Sequence, residues 1–470
     1  MILKIGFLGV HSQNYFAKEY QVYEQSVEYL TMLQSELGFS LITYPLVEDV
    51  NGSKNARNFF EAQEIDFLLV QNSGFSMGDV LMELDGTSFP LGFWAIEEPT
   101  NTGDIKLHSI VSLNMYTSIA NHCFKNGGKT KWFYGAANTT FFYNRLKPTV
   151  LALRAKKALK NTKIGFLGDI APTFYNLKDD PDIYKGLYGV TVEQLSMQVL
   201  CDKISRLTEL QIEHARIQIV SSSGTVSVSN KALNSGAKAY AALQLLARER
   251  GYSAIASSCW PDFQTILGIV PCVPFTLLSD IDNIPVACEG DVGAAMTMLV
   301  MKELSGKEPV LMDFAQISEE KNSFLLWHCG IGSKALAPGK DQICIINHPM
   351  LNRKSGEGES NGIGLSYDYR FADMSVVVAR LSDNGRKLFC ISGSTESNLG
   401  DGFSGTRGWV GNLHCEDKPI SVLDAINTTF LHGVEHHLVI APGTFETSLS
   451  EFAYWCNIEK IAIETYKENM

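Results

Sequence analysis

The chain predicts two doubly wound parallel α/β domains followed by a mainly antiparallel, barrel-like β domain, and three observations predict it. Lys4-Ile-Gly-Phe-Leu-Gly9 recurs as Lys163-Ile-Gly-Phe-Leu-Gly168, each copy a short apolar run ending in a glycine turn. Such a run suits a buried parallel strand at the start of an α/β domain. Helix-like and strand-like segments alternate after each copy, the mark of a parallel sheet with crossover helices. Beyond about residue 305 the texture changes to short apolar segments separated by Gly, Asn and Ser, which predicts antiparallel strands. A chain of 470 residues is too long for one core. The expected boundaries are 1–155, 156–304 and 305–470.

In the first domain the strand at 4–9 leads to a helix over 20–37, a strand over 40–45, a helix near 56–63, and strands at 66–71 and 91–96. The basic, Ala-rich stretch 148–163 reads as a helical join. The second domain continues with a helix over 191–206, a strand at 216–221, a long helix over 231–250 and a buried strand at 254–259. A further strand at 284–288 precedes a helix opening near Val292. Strands at 324–328, 342–347, 375–380, 387–392 and 438–441 build the third domain. The polar, glycine-rich stretch 355–364 reads as a surface loop of the kind that also closes over active sites.

Composition narrows the partners. Hydrophobic content of 45% with 19% charged residues is that of a soluble globular protein. A net charge of -12 argues against nucleic acid, which wants a basic surface to neutralise phosphates. No apolar run is long enough for a membrane span. Residues 1–10 lack the basic start and small-residue cleavage site of a signal peptide. The ten cysteines are irregularly spaced without a CxxC pair, so reduced thiols and a cytoplasmic location are expected.

Candidate chemistry lies where charged residues interrupt apolar runs. Glu289, in Val286-Ala-Cys-Glu-Gly-Asp291, follows a strand and precedes a helix, at the sheet edge where open α/β folds place ligands. Asp291 is the better placed of the two acids for capping that helix. Asp313 ends the run Val310-Leu-Met, and His328 stands in Trp327-His-Cys-Gly330. His432, His436 and His437 are three of only ten histidines. Burying an ionised carboxylate costs on the order of several kcal/mol unless a partner or cation compensates. Two hard acids and an imidazole suit Mn²⁺ or Mg²⁺ better than a thiolate-preferring metal. Trp260 and Asp262 follow a predicted strand and could line a ligand site, as could Trp94, Gln71 and His11 at strand ends in the first domain. Gly6-Phe-Leu-Gly9 does not satisfy GxGxxG, so no nicotinamide is expected.

The segments PVACEGDVGAAMTMLVMKELSGKEPVLMDF, WHCG and LHGVEHHLVIAPG together resemble the L-fucose isomerase and L-arabinose isomerase superfamily, metal-dependent aldose-ketose isomerases. The resemblance implies Glu289, Asp313 and His436 as ligands to Mn²⁺, with Mg²⁺ or Co²⁺ as alternates. It implies Glu289 and Asp313 as the catalytic acids of a cis-enediol mechanism, and His328 as a ligand or substrate contact. Relatives form closed homo-oligomers, often hexamers, whose sites borrow residues from a neighbouring N-terminal domain. The substrate stays open among L-fucose, L-arabinose, another deoxy sugar or pentose, and a modified hexose such as sulfoquinovose. A sugar-binding protein without turnover and a metal-dependent aldolase or epimerase are the alternatives.

Overall fold

The structure, a computed structural model, describes residues 2–125, 129–350 and 364–468. The predicted loop at 355–364 lies outside the described residues apart from Gly364. The chain divides into two compact units, Met1–Lys157 and Ala158–Met470. Among the described residues no helix is long and apolar enough to cross a membrane.

The first unit is built on five strands, β1 (Leu3–Val10), β2 (Phe39–Val47), β3 (Phe67–Asn72), β4 (Leu91–Ala95) and β5 (Thr130–Tyr134). They pair in parallel in the order β2-β1-β3-β4-β5. Every residue of β3 is buried, as a central strand covered on both faces requires. The predicted helix near 56–63 starts earlier, at Val50, because Asp49 caps it by accepting from the Gly52 amide.

The second unit opens with β6 (Lys163–Leu167) and β7 (Thr191–Leu195). The short strand β8 (Thr225–Val226) is followed by β9 (Ala254–Ser257) and β10 (Val286–Ala287). A parallel sheet forms in the order β10-β9-β6-β7. Two expectations are corrected here. Residues 191–195 form strand β7 rather than the start of a helix, because Thr191 to Leu195 zip residue by residue onto Lys163 to Leu167; the helix begins only at Met197. Residues 216–221, rich in β-branched side chains, close the helix Glu209–Ser221 instead of forming a strand. A capping box between Thr208 and Gln211 starts that helix, and Ile212, Ala215 and Ile219 bury one face.

The rest of the unit is mainly antiparallel. Its strands are β11 (Val310–Ser318), β12 (Ser323–His328), β13 (Cys344–Asn347), β14 (Gly364–Arg370), β15 (Met374–Ser382), β16 (Lys387–Thr395), β17 (Thr406–Cys415), β18 (Lys418–Pro419), β19 (His437–Pro442) and β20 (Glu459–Lys460). Six of them close on themselves: β11 pairs β12, then β17, β16, β15 and β19 follow, and β19 returns to β11. Every pairing in this ring is antiparallel, so the barrel-like expectation is met by a closed barrel. The helix Val292–Ser305 packs against both β9 of the parallel sheet and β15 and β19 of the barrel. Almost all of its residues are buried, consistent with an element apolar on every face.

Candidate metal centre

Strand β10 delivers Glu289 at the carboxyl edge of the parallel sheet. The turn that follows holds Glu289 at φ 62°, a left-handed conformation that costs a non-glycine residue about 1 kcal/mol or more. Its carbonyl is pinned by the Ala171 amide at 2.9 Å, from the loop after β6. The barrel supplies the remaining groups. In the β11–β19 register Asp313 stands directly opposite His437, and on its other side Asp313 faces Trp327, which leaves His328 next along β12.

These elements converge. His437 Nε2 lies 3.2 Å from Glu289 Oε2 and 3.9 Å from Asp313 Oδ1. Two sets of ligand atoms come within 4.8 Å of one another, Glu289 with His436 and His437, and Asp313 with His328 and His437. His437 is common to both. Glu289 Oε2, Asp313 Oδ1 and His437 Nε2 are all buried and none has a hydrogen-bond partner with acceptable geometry. Buried polar atoms without partners are costly, and in either set a cation beside His437 Nε2 would satisfy them. The oxygen and nitrogen donor set fits a hard or borderline divalent ion such as Mn²⁺ or Mg²⁺.

Asp291, fully buried, sits behind His437 and caps the helix Val292–Ser305 through the Ala294 amide at 2.7 Å. The same carboxylate accepts from His437 Nδ1 at 2.7 Å and from two nitrogens of the buried Arg380 at 2.8 and 3.0 Å. Arg380 Nε also reaches Glu435 at 3.4 Å. Burial alone would raise Asp291, but Arg380 and then His437 outweigh it and hold the carboxyl well below the usual carboxylate range. Glu289 behaves likewise, with burial overcome by His436 and His437. Burial disfavours charge on His437, yet the hydrogen bond to Asp291 and the nearby Glu289 and Asp313 carboxylates prevail and push it up to about 10. Burial holds His328 below its ordinary value, against the opposing pull of Asp313 and Glu289.

His436, the third ligand expected, belongs to the first of the two ligand sets, and its neighbour His437 belongs to both. His436 is 38% exposed, packs edge-on against Phe174, shares a 3.1 Å hydrogen bond with Asn176, and lies 3.6 Å from Glu289. Beside the Glu289 turn is a cavity of about 380 Å³ whose lining includes Asp169, Ala171, Pro172, Ser258, Pro261 and Asp262. Trp260 is 39% exposed next to it. The three contacts expected in the first unit are placed differently. Trp94 is fully buried, packs against Phe142 and donates to the Gly135 carbonyl at 2.8 Å. Gln71 is also fully buried, with both ends of its amide bonded to Ser26 and Ser73. His11 is buried against Glu48 at 3.1 Å, with Nδ1 unpartnered. Arg380 escaped the sequence reading, although one charge within the apolar run Val376-Val-Val-Ala-Arg380-Leu was the available signal.

The class of molecule is thus an α/β protein with a closed antiparallel barrel and a carboxylate-histidine centre where the two meet. Comparison with known proteins gives that class a direction. The chain is 25% identical over 421 residues to a protein named sulfoquinovose isomerase from Priestia aryabhattai, covering 88% of each chain. It is 26% identical over 300 residues to one of the same name from Alkalicoccus urumqiensis, covering 62% of this chain and 65% of that one. A third, from Clostridium sp. (strain MSTE9), is 25% identical over 339 residues, 71% of this chain and 73% of that one. No family model matches the chain. A solved solute-binding protein of an ABC transporter from Agrobacterium vitis, bound with alpha-D-tagatopyranose, aligns at 11% identity over 56% of this chain and 78% of that one. Its TM-score of 0.17 carries no argument about fold or function.

Proposed function

We propose that the chain is a metal-dependent aldose-ketose isomerase acting on a sulfonated aldohexose of the sulfoquinovose type. The observation that carries the reading is a buried His437 Nε2 without a hydrogen-bond partner, 3.2 Å from Glu289 Oε2 and 3.9 Å from Asp313 Oδ1, two carboxylate oxygens likewise unpartnered, near a cavity bordered by Asp169, Ser258 and Asp262. The relatives' name supplies the reaction class and the sugar. Glu289, Asp313 and His437 would hold the ion, Mn²⁺ for preference, with His328 completing the ring of donors. When bound, the ion supplies Lewis-acid polarisation of two adjacent sugar oxygens.

The chain's own residues do the rest. One of the two carboxylates, Glu289 or Asp313, takes the proton from C2 of the open-chain aldose, giving a cis-enediol, and returns it to C1. The other moves the hydroxyl proton from O2 to O1, so no atom or electron leaves the sugar. Asp169, Asp262 and Ser258 offer hydrogen-bonding groups to sugar hydroxyls. Two acids repel a sulfonate, so in this reading the sulfonated end points away from them.

The test is ketose formation in Mn²⁺ from sulfoquinovose, D-glucose, L-fucose and L-arabinose, beside Glu289→Gln and Asp313→Asn. Turnover of sulfoquinovose that disappears in both variants and on chelation is expected. Sugar binding without ketose in the parent protein would favour a binding protein, fragments an aldolase, and a second aldose an epimerase.

A further inference from the structure

The carboxylate of Asp291 has no spare acceptor site. Oδ1 takes the Ala294 amide and one Arg380 nitrogen, and Oδ2 takes the other Arg380 nitrogen and His437 Nδ1. An ionised carboxylate cannot donate, so the proton in the bond to His437 belongs to Nδ1. A neutral imidazole carries one N–H, which leaves the Nε2 lone pair facing Glu289 and Asp313. Arg380 is the group that holds this arrangement: fully buried, it grips Asp291 with a bidentate fork and braces its remaining edge on Glu435.

The local backbone is built to admit that fork. A Cβ added at Gly293, in the first turn of the helix, would lie 2.7 Å from Arg380 Nη2 and 3.0 Å from Asp179 Oδ2. Only glycine there lets the guanidinium pass beneath the helix start.

We infer that Asp291 and Arg380 are positioning residues that fix His437 as its Nδ1–H tautomer and so present Nε2 to the cation. The inference rests on the metal reading above but not on the sugar or the reaction. Asp291 is thus more than a helix cap, because its second oxygen sets which nitrogen of His437 faces the ion. Groups behind a metal-binding histidine affect metal affinity by about 10–100-fold when removed.

The test uses the full chain without sugar. Mn²⁺ affinity is read from free-ion electron paramagnetic resonance in the parent, Asp291→Asn and Arg380→Lys. The bound-proton pattern of His437 is read from ¹⁵N-histidine NMR with diamagnetic Mg²⁺, and folding from calorimetry. Arg380→Lys keeps the charge and loses the fork, so it carries the test if Asp291→Asn does not fold. The expected result is affinity lowered at least tenfold in each folded variant, with the Nδ1–H signal of His437 present in the parent and lost or split in the variants. Parental affinity in either folded variant, or weakened binding with the His437 signal unchanged, would overturn it. Because neither readout involves turnover, a chain that binds Mn²⁺ as expected yet forms no ketose would sink the isomerase reading and leave this one standing.

Discussion

At the residue scale, adjacent histidines have opposite fates. His437 is buried between Asp291 and the two site acids, while its neighbour turns toward Asn176 and the surface. His437→Ala should abolish Mn²⁺ binding, and His436→Ala should reduce affinity by less than about tenfold; equilibrium dialysis of both variants checks the order. Glu289 and Asp313 were legible because each ends an apolar run. That His437 is buried beside Asp313 while His436 is exposed was not, because it depends on the pairing of Asp313 with His437 across strands far apart in sequence, where a slip of one residue reverses every side chain. Asp280 provides a separate case. Burial lifts its carboxyl to about 7, against the lowering effect of the Lys334 amide it accepts from. Its folded-state value lies above the unfolded one, so the folded protein binds the extra proton, and stability falls as pH rises from about 4 to 7 and is level beyond. Asp280→Asn removes that dependence. Urea midpoints at pH 5 and pH 8 should show the variant gaining on the parent at the higher pH.

At the element scale, the site depends on how closely strands approach. Gly405, at φ 119°, leads into β17, and a Cβ there would lie 2.4 Å from the His328 carbonyl. Gly405→Ala should therefore cost about 2 kcal/mol or more and disturb the end of β12 that carries His328, as denaturant titration would reveal. Strands and helices with clear periodicity were legible, including the helix Asn230–Arg250 and most barrel strands. The failures have a common cause. Residues 191–195 gain strand structure from a free edge of β6, and 216–221 are held helical by a capping box and a buried face. In both, tertiary partners override local preference.

At the scale of the whole molecule, the repeated hexapeptide located the first strand of each parallel sheet, since β1 and β6 contain its two copies. The sequence also signalled an antiparallel, barrel-like final third, but not which strands pair to close it, because strand order is a relation among distant segments. Glu289 comes from the edge of the parallel sheet and Asp313 and His437 from the barrel, so an ion held as proposed would tie the two layers of the second unit together. An ion present at about 100 times its Kd should add about 2.7 kcal/mol to that unit. Calorimetry in Mn²⁺ against chelator should show the transition of residues 158–470 move up, and Glu289→Gln should leave it in place. The barrel's closing strand has a further consequence. β19 slots between β11 and β15, and without it the ring is an open sheet, β15-β16-β17-β12-β11, with two bare apolar edges. During synthesis those edges are made well before the residues that cover them, so the nascent chain carries two unpaired strands on the ribosome until Pro442 emerges. That interval is when the protein is most exposed to aggregation, and when a chaperone that shields strand edges would matter most to it.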